Sequence, residues 1–187
     1  MEKEYREIEV RFLDIDTDAL KETLRACGAK DLGEDFFQES IFCDAARTWH
    51  DVKKFVRLRK SMHGVFMTFK QRKEYSATGT REVEIAVNDF EHAKVLLEDI
   101  GLVEYRTQEK KRHAFMLDGV HVDLDTWPSV PTFLELEGES EDALKRAAQK
   151  LGLDWARVIV EPPGVVINKY YHIPIFTLRY FTFDKIE

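Results

Sequence analysis

Charged and apolar side chains alternate strictly along Glu7-Ile8-Glu9-Val10-Arg11-Phe12. A period of two marks a strand with one buried face. Asp16-Thr17-Asp18 then offers the side chains that cap a helix. Leu20, Leu24 and Cys27 follow at helical spacing, and Gly28 stands where a C-cap belongs. The pattern returns in Arg81-Glu82-Val83-Glu84-Ile85-Ala86-Val87, where Asn88 and Glu91 suit a capping box and Phe90, Ala93, Leu97 and Ile100 lead to Gly101. It returns again in Phe133-Leu134-Glu135-Leu136-Glu137. There Ser140 can cap a helix with Leu144, Ala147, Ala148 and Leu151 on one face, ending at Gly152. Further strands are expected over 38–43, 55–59, 65–72, 110–117 and 121–125, with loops over 45–54 and 73–80. Helices are too few for a parallel α/β sheet, so the predicted class is α+β, dominated by antiparallel sheet.

Parity sorts the side chains by face. Glu7, Glu9 and Arg11 share one face of their strand, while Arg57 and Arg59 oppose Val56 and Leu58. Thr68, Lys70 and Arg72 oppose Met67 and Phe69, and Glu82 and Glu84 oppose Val83 and Ile85. Asp123 and Asp125 oppose Val122 and Leu124, and Glu135 and Glu137 oppose Leu134 and Leu136. A solvated sheet face explains any one of these sets. Together they read differently, because the charges segregate by strand into acid-only and base-rich faces. Three amphipathic helices can cover the apolar faces from outside, leaving the charges to line a curled sheet. Burying them is costly unless they pair or hold ions. A polyphosphate with its metal satisfies both signs: carboxylates suit Mg²⁺ or Mn²⁺, and Arg and Lys grip phosphate oxygens.

Composition narrows the classes. The chain's 187 residues suit a single domain over 1–187, with an aromatic C-terminal extension over 173–187. Acidic residues outnumber basic ones 35 to 28, a net charge of -7, which argues against a nonspecific nucleic-acid binder. Cys27 and Cys43 make no disulfide framework, the start Met1-Glu2-Lys3-Glu4 is charged, and no apolar run reaches membrane-spanning length. A soluble cytoplasmic protein is expected.

The Glu7-x-Glu9-x-Arg11 strand is similar to the Glu-x-Glu-x-Lys signature of the CYTH, or triphosphate tunnel metalloenzyme, superfamily. This group includes class IV adenylate cyclases, thiamine triphosphatases and inorganic triphosphatases. Gln38 to Asp44 resembles its Gln-x-Asp-x-Tyr-x-Asp strand. Arg57-Leu58-Arg59, Thr68-Phe69-Lys70, Arg81-Glu82-Val83-Glu84, Lys110-x-Arg112 and Asp125 with Glu135-x-Glu137 follow in family order, over residues 4 to about 172. The resemblance implies a closed antiparallel β-barrel, a tunnel with flanking helices. Glu7, Glu9, Asp125, Glu135 and Glu137 would hold Mg²⁺ or Mn²⁺, with Glu82 and Glu84 in the acidic lining. Arg11, Arg57, Arg59, Lys70, Lys110 and Arg112 would bind the triphosphate, with Arg72 at the rim. Glu7, Glu9, Lys70 and Glu137 would act in catalysis. The chain departs at Arg11 for the signature lysine, Ser40 for the aspartate, Phe42 for the tyrosine, and Trp127-Pro128-Ser129-Val130-Pro131 for a glycine-rich turn. Arginine stays protonated, so Arg11 can bind phosphate but is a poor general base.

The six histidines show no metal-ligand spacing, and no Walker loop or Gly-x-Gly-x-x-Gly is present. Residues 175–181 could form a strand, in a tail expected to pack over the barrel or a partner subunit, as in a homodimer. The activity expected first is metal-dependent hydrolysis of a small-molecule triphosphate: ATP, thiamine triphosphate or inorganic triphosphate. A class IV adenylate cyclase making cyclic AMP and pyrophosphate is the nearest alternative, and a noncatalytic polyphosphate binder the next.

Overall fold

The computed structural model describes residues 6–72 and 80–187, with only the backbone of Arg6 and Glu7. Within them a ten-stranded sheet runs in the order β1-β6-β5-β4-β3-β7-β8-β9-β2, with β10 beside β7. The strands are β1 (Arg6–Glu7), β2 (Glu9–Phe12), β3 (Lys30–Asp44), β4 (Lys54–Ser61), β5 (Gly64–Arg72), β6 (Thr80–Val87), β7 (Leu102–Leu117), β8 (Val120–Thr126), β9 (Phe133–Glu137) and β10 (Tyr180–Phe181). Every pairing is antiparallel except the short parallel contact of β10 with β7. The architecture is therefore α+β, a curled antiparallel sheet with four helices: α1 (Thr17–Ala26), α2 (Phe90–Asp99), α3 (Glu141–Lys150) and α4 (Pro163–Tyr170).

Helices α1, α2 and α3 cover the convex side. Val10, Phe12, Val122, Leu124, Leu134 and Leu136 meet Leu20 and Leu24 of α1 and Leu144, Ala147 and Ala148 of α3 in one core. Phe42, Val56 and Leu58 meet Ala93 and Leu97 of α2 in another. Alternation then obliges the charged residues to face the concave side. Asp16 caps α1 by accepting from the amides of Asp18 and Ala19, and Ser140 caps α3 through Ala143. Gly28, Gly101 and Gly152 follow their helices at positive φ, as their positions predict. None of the described helices is long and apolar enough to cross a membrane.

Several expectations change. Asp89, not Asn88, caps α2, its carboxylate accepting from the His92 amide at 2.7 Å. The expected strands at 38–43 and 110–117 belong to ladders of 15 and 16 residues, β3 and β7, which pair along most of their length. Over 45–54 the chain makes a 3-10 turn at Thr48–His50, whose first amides donate to Asp44, and Lys54 already belongs to β4. Thr80 begins β6, and the rest of the loop expected over 73–80 lies outside the described residues. The tail is strand only at Tyr180–Phe181, because residues 175–177 turn tightly around the Pro174 carbonyl. Ile175 and Phe181 pack with Trp127, Phe133 and Ile167 of α4 instead. Nothing in the periodicity announces α4, which opens on Pro163, a residue suited to a first helical turn.

Candidate active site

The concave face carries charges that sort largely by strand, acidic on β3, β6, β8 and β9 and basic on β4, β5 and β7. On β2 and β9, Glu9 stands opposite Glu137 and Arg11 opposite Glu135, and Glu135 in turn stands opposite Asp123 of β8. Beside them β7 presents Arg106, Lys110 and Arg112, then β3 presents Glu39, β4 Arg57 and Arg59, β5 Lys70 and Arg72, and β6 Glu82 and Glu84. Opposite charges on neighbouring strands fall within reach of one another across the ladders. All of these but Asp123 line one cavity of about 500 Å³.

One wall is an acid cluster threaded by arginines. Arg11 is fully buried, 2.5 Å from Glu9 and 2.7 Å from Glu135, and donates to the Glu161 carbonyl. Arg112 holds Asp125 with two hydrogen bonds of 2.7 Å, reaches Glu135 at 2.9 Å and pairs with Asp123. Lys110 donates to Asp125 at 2.7 Å. Burial alone would raise the Glu135 carboxyl, but Arg11 and Arg112 hold it well below the usual range. Burial also opposes charge on Arg112, and Asp125 and Asp123 outweigh it, raising its pKa. Lys110 is pushed down, first by burial and then by Arg112.

Asp123 is the exception. Burial, with Asp125 and Glu135 nearby, pushes its carboxyl up to about 6 despite Arg112, and its Oδ1 has no hydrogen-bond partner among the described residues. A carboxyl raised on folding costs stability above that pH, a cost that vanishes as pH falls toward the ordinary carboxylate range. Asp123→Asn should stabilise the metal-free protein at pH 7.5, on the order of 2–3 kcal/mol, because the charge it removes is the disfavoured form. Urea unfolding at pH 7.5 and at pH 4.5 checks this: the gain should be clear at the first and about a third as large at the second. An equal effect at both would refute it.

The opposite wall carries the more open cations. Arg59 donates to Glu39 at 2.6 Å, and Lys70 lies 2.6 Å from Glu82. Arg57 sits 3.6 Å from Glu82 and 3.7 Å from Glu84, and Glu84 also accepts from Thr68. Burial would raise Glu39, yet Arg59 and Arg57 hold it far below the usual carboxylate range. Its other oxygen accepts from Gln108, which accepts from Arg106, which donates to the Ile175 carbonyl at 2.9 Å. A buried chain of hydrogen bonds thus ties the C-terminal segment to Arg59.

The structure brings together Glu9, Asp125 and Glu135, with Glu137 beside Glu9, and sets Glu82 and Glu84 apart with Arg57 and Lys70. The Glu7 backbone pairs with Thr80, and its side chain lies outside the described residues. Arg72 is not at the rim: it is buried and donates to Glu9 at 2.9 Å, because the last residue of β5 meets the N-terminal strand. Glu39, Arg106 and Gln108 join the lining or its support without having been singled out, and Asp123, read as part of a charged face, joins the acid cluster. Arg106 and Gln108 share parity with Lys110, a signal hidden by starting that strand at 110. Among the described residues no group of three or more His, Cys, Asp or Glu side chains stands ready as a metal cage. The donor chemistry nonetheless suits a hard divalent cation, since Glu9 stands opposite Glu137 and Glu135 opposite Asp123 in the ladders, and one buried oxygen of Asp123 has no hydrogen-bond partner among the described residues.

A curled antiparallel sheet lined this way, with helices outside, defines a class. The CYTH domain model matches residues 5–171, and the chain belongs to the CYTH family. A protein of Methanocaldococcus jannaschii named as a candidate adenylate cyclase is 24% identical over 137 residues, 73% of this chain and 78% of its own. A solved structure from Pyrococcus horikoshii superposes with a TM-score of 0.70 at 23% identity, covering 83% of this chain and 96% of the other. A Hippeastrum protein, described as a candidate adenylyl cyclase that reveals a dominant triphosphatase activity, matches with a TM-score of 0.63 at 15% identity, over 89% of this chain and 95% of its own.

Proposed function

We propose that this protein is a divalent-metal-dependent enzyme that hydrolyses the triphosphate of a small molecule inside a closed sheet. The observation that carries the reading is one cavity with Arg57, Arg59 and Lys70 on one wall and Glu9, Glu135 and Glu137 on another, tied through Arg112 to Asp123 and Asp125. Closure is supported by the strand order: its two ends, β1 and β2, are separated in the chain by Ile8 alone, and Arg72 of β5 reaches Glu9 of β2.

Mg²⁺ or Mn²⁺ held by Glu9, Asp123, Glu135 and Glu137, with Glu7, would supply positive charge to phosphate oxygens in the transition state. Arg57, Arg59 and Lys70 face the cavity and donate to those oxygens, stabilising charge as it develops. Lys110 supports them from the floor. Arg11 meets Glu9 and Glu135 through one nitrogen and Arg112 meets Asp123, Asp125 and Glu135 through three, so both act as struts between the carboxylates. Glu137 orients the water that attacks phosphorus. An adenylate cyclase would use the same walls with the nucleotide's own 3′-hydroxyl as nucleophile, and the name of the M. jannaschii relative favours that second reading.

A ligand that binds only the folded state stabilises it by about 2.7 kcal/mol at a hundred times its dissociation constant. Mn²⁺ with a slowly hydrolysed triphosphate should therefore raise the melting temperature by roughly 5–10 °C, more than either alone. No thermal response to the two together would contradict the proposal.

A further inference from the structure

We propose that Gln108 is a positioning residue for Arg59. By occupying one oxygen of Glu39 it keeps that carboxylate from gripping Arg59 with both, which leaves the terminal nitrogens of the arginine for phosphate. Arg106 and the C-terminal segment hold Gln108 in place. The inference rests on the triphosphate reading and adds residues that act on the phosphate wall from behind.

A guanidinium only donates hydrogen bonds and a carboxylate only accepts them. Gln108 stands between one of each. Its carbonyl oxygen accepts from Nε of Arg106 at 2.7 Å, and its amide nitrogen donates to Oε2 of Glu39 at 2.5 Å. These neighbours fix which way the amide points, since a flipped amide would set donor against donor and acceptor against acceptor. Arg106, Gln108 and Glu39 are all buried, where such bonds are stronger than in water.

The other oxygen of Glu39 goes to Arg59, whose Nε donates to Oε1 at 2.6 Å. Arginine and a carboxylate frequently pair through two parallel bonds. Arg112 does so in the same cavity, giving Nε and Nη2 to the two oxygens of Asp125 at 2.7 Å each. That guanidinium is committed to holding acids. Arg59 makes a single bond to its acid because Gln108 takes the second oxygen. Its terminal nitrogens are left for the cavity, and the plane over Phe37, 4.5 Å from the ring centre, steadies them.

The C-terminal segment anchors the relay twice. Nη1 of Arg106 donates to the Ile175 carbonyl at 2.9 Å, and Ile175 lies in one core with Trp127, Phe133, Ile167 and Phe181. Tyr180 and Phe181 of β10 pair with Thr107 and Gln108, so the same segment braces the backbone that carries the amide. Among the described residues Arg106 makes no ion pair, and the Gln108 amide links its charge to that of Glu39. The family match ends at residue 171, so both anchors lie beyond it.

The test is a double-mutant cycle on the affinity for inorganic tripolyphosphate with Mg²⁺, measured by calorimetry. Gln108→Leu keeps bulk but neither donates nor accepts, and it should weaken binding on the order of tenfold in the otherwise wild-type chain. In the Arg59→Ala background the same change should cost about twofold or less, because no guanidinium remains for Glu39 to capture. Arg106→Lys keeps the charge, but a single nitrogen cannot take both positions of the fork. It should follow the same pattern, and it carries the test if Gln108→Leu does not fold. Equal losses in both backgrounds, or no loss in either, overturn the positioning role and leave the triphosphate reading standing. A wild type that does not bind tripolyphosphate overturns both.

Discussion

Glu135→Ala should cost about 3–5 kcal/mol of folding stability, the range for breaking a buried ion pair from one side, and should abolish turnover. Glu135 lies between two guanidinium groups, 2.7 Å from Arg11 and 2.9 Å from Arg112, and is almost wholly buried. Removing it takes a carboxylate from each of two buried guanidinium groups. The pH dependence has a definite sign. Because the folded protein depresses this carboxyl, its contribution is full above the ordinary carboxylate range and is lost as pH falls toward the folded pKa. The gap between wild type and variant should therefore be widest near neutrality and shrink in acid. Denaturant unfolding measures the stability loss. Glu135→Gln, which keeps size and some hydrogen bonding, separates the roles: it should retain more stability than the alanine variant yet remain inactive. Substantial turnover in Glu135→Gln would remove Glu135 from the proposed metal set.

Arg59→Ala should weaken triphosphate binding by about 1.5–3 kcal/mol, the range for hydrogen bonds to charged groups, or roughly 10- to 150-fold. The guanidinium stacks over Phe37 with its centre 4.5 Å from the ring centre, and Nε is tied to Glu39. That leaves its terminal nitrogens toward the cavity in a fixed orientation. Arg59→Lys should restore the charge but only part of the affinity, since an ammonium cannot reproduce the planar fork. Glu39 keeps Gln108 and Arg57 when Arg59 is lost, so the variant should fold. Triphosphate affinity and turnover equal to wild type would show that this wall does not hold the phosphates.

The charged faces were legible because parity is a property of the backbone: once Val10, Leu134 and Val122 must point to a core, Arg11, Glu135 and Asp123 must point away from it. Their pairing was not legible, because it depends on register. That Arg112 would meet Asp125 while Lys70 meets Glu82 follows from ladders that bring distant segments together. The likeness of Gln38-x-Ser40-x-Phe42 to a family motif drew the eye to the wrong face of β3, since Phe42 packs under α2 and Glu39 faces the cavity. Tyr105 could not be placed from alternation at all: Ile41 pairs with Arg106 and Phe42 with Glu104, and the bulge between them lets Tyr105 line the cavity beside Arg106. Asn88 and Asp89 offer equivalent caps one residue apart, and only the entry angle of α2 decides between them.

Phosphorus NMR of the purified protein with ATP, and separately with inorganic tripolyphosphate, with Mn²⁺ and with EDTA, addresses the central claim most directly. The account predicts metal-dependent loss of the triphosphate resonances and appearance of orthophosphate. Pyrophosphate appearing together with cyclic AMP would move the assignment to the cyclase. Triphosphate left intact with Mn²⁺ present, or consumed equally in EDTA, would contradict metal-dependent cleavage in this cavity.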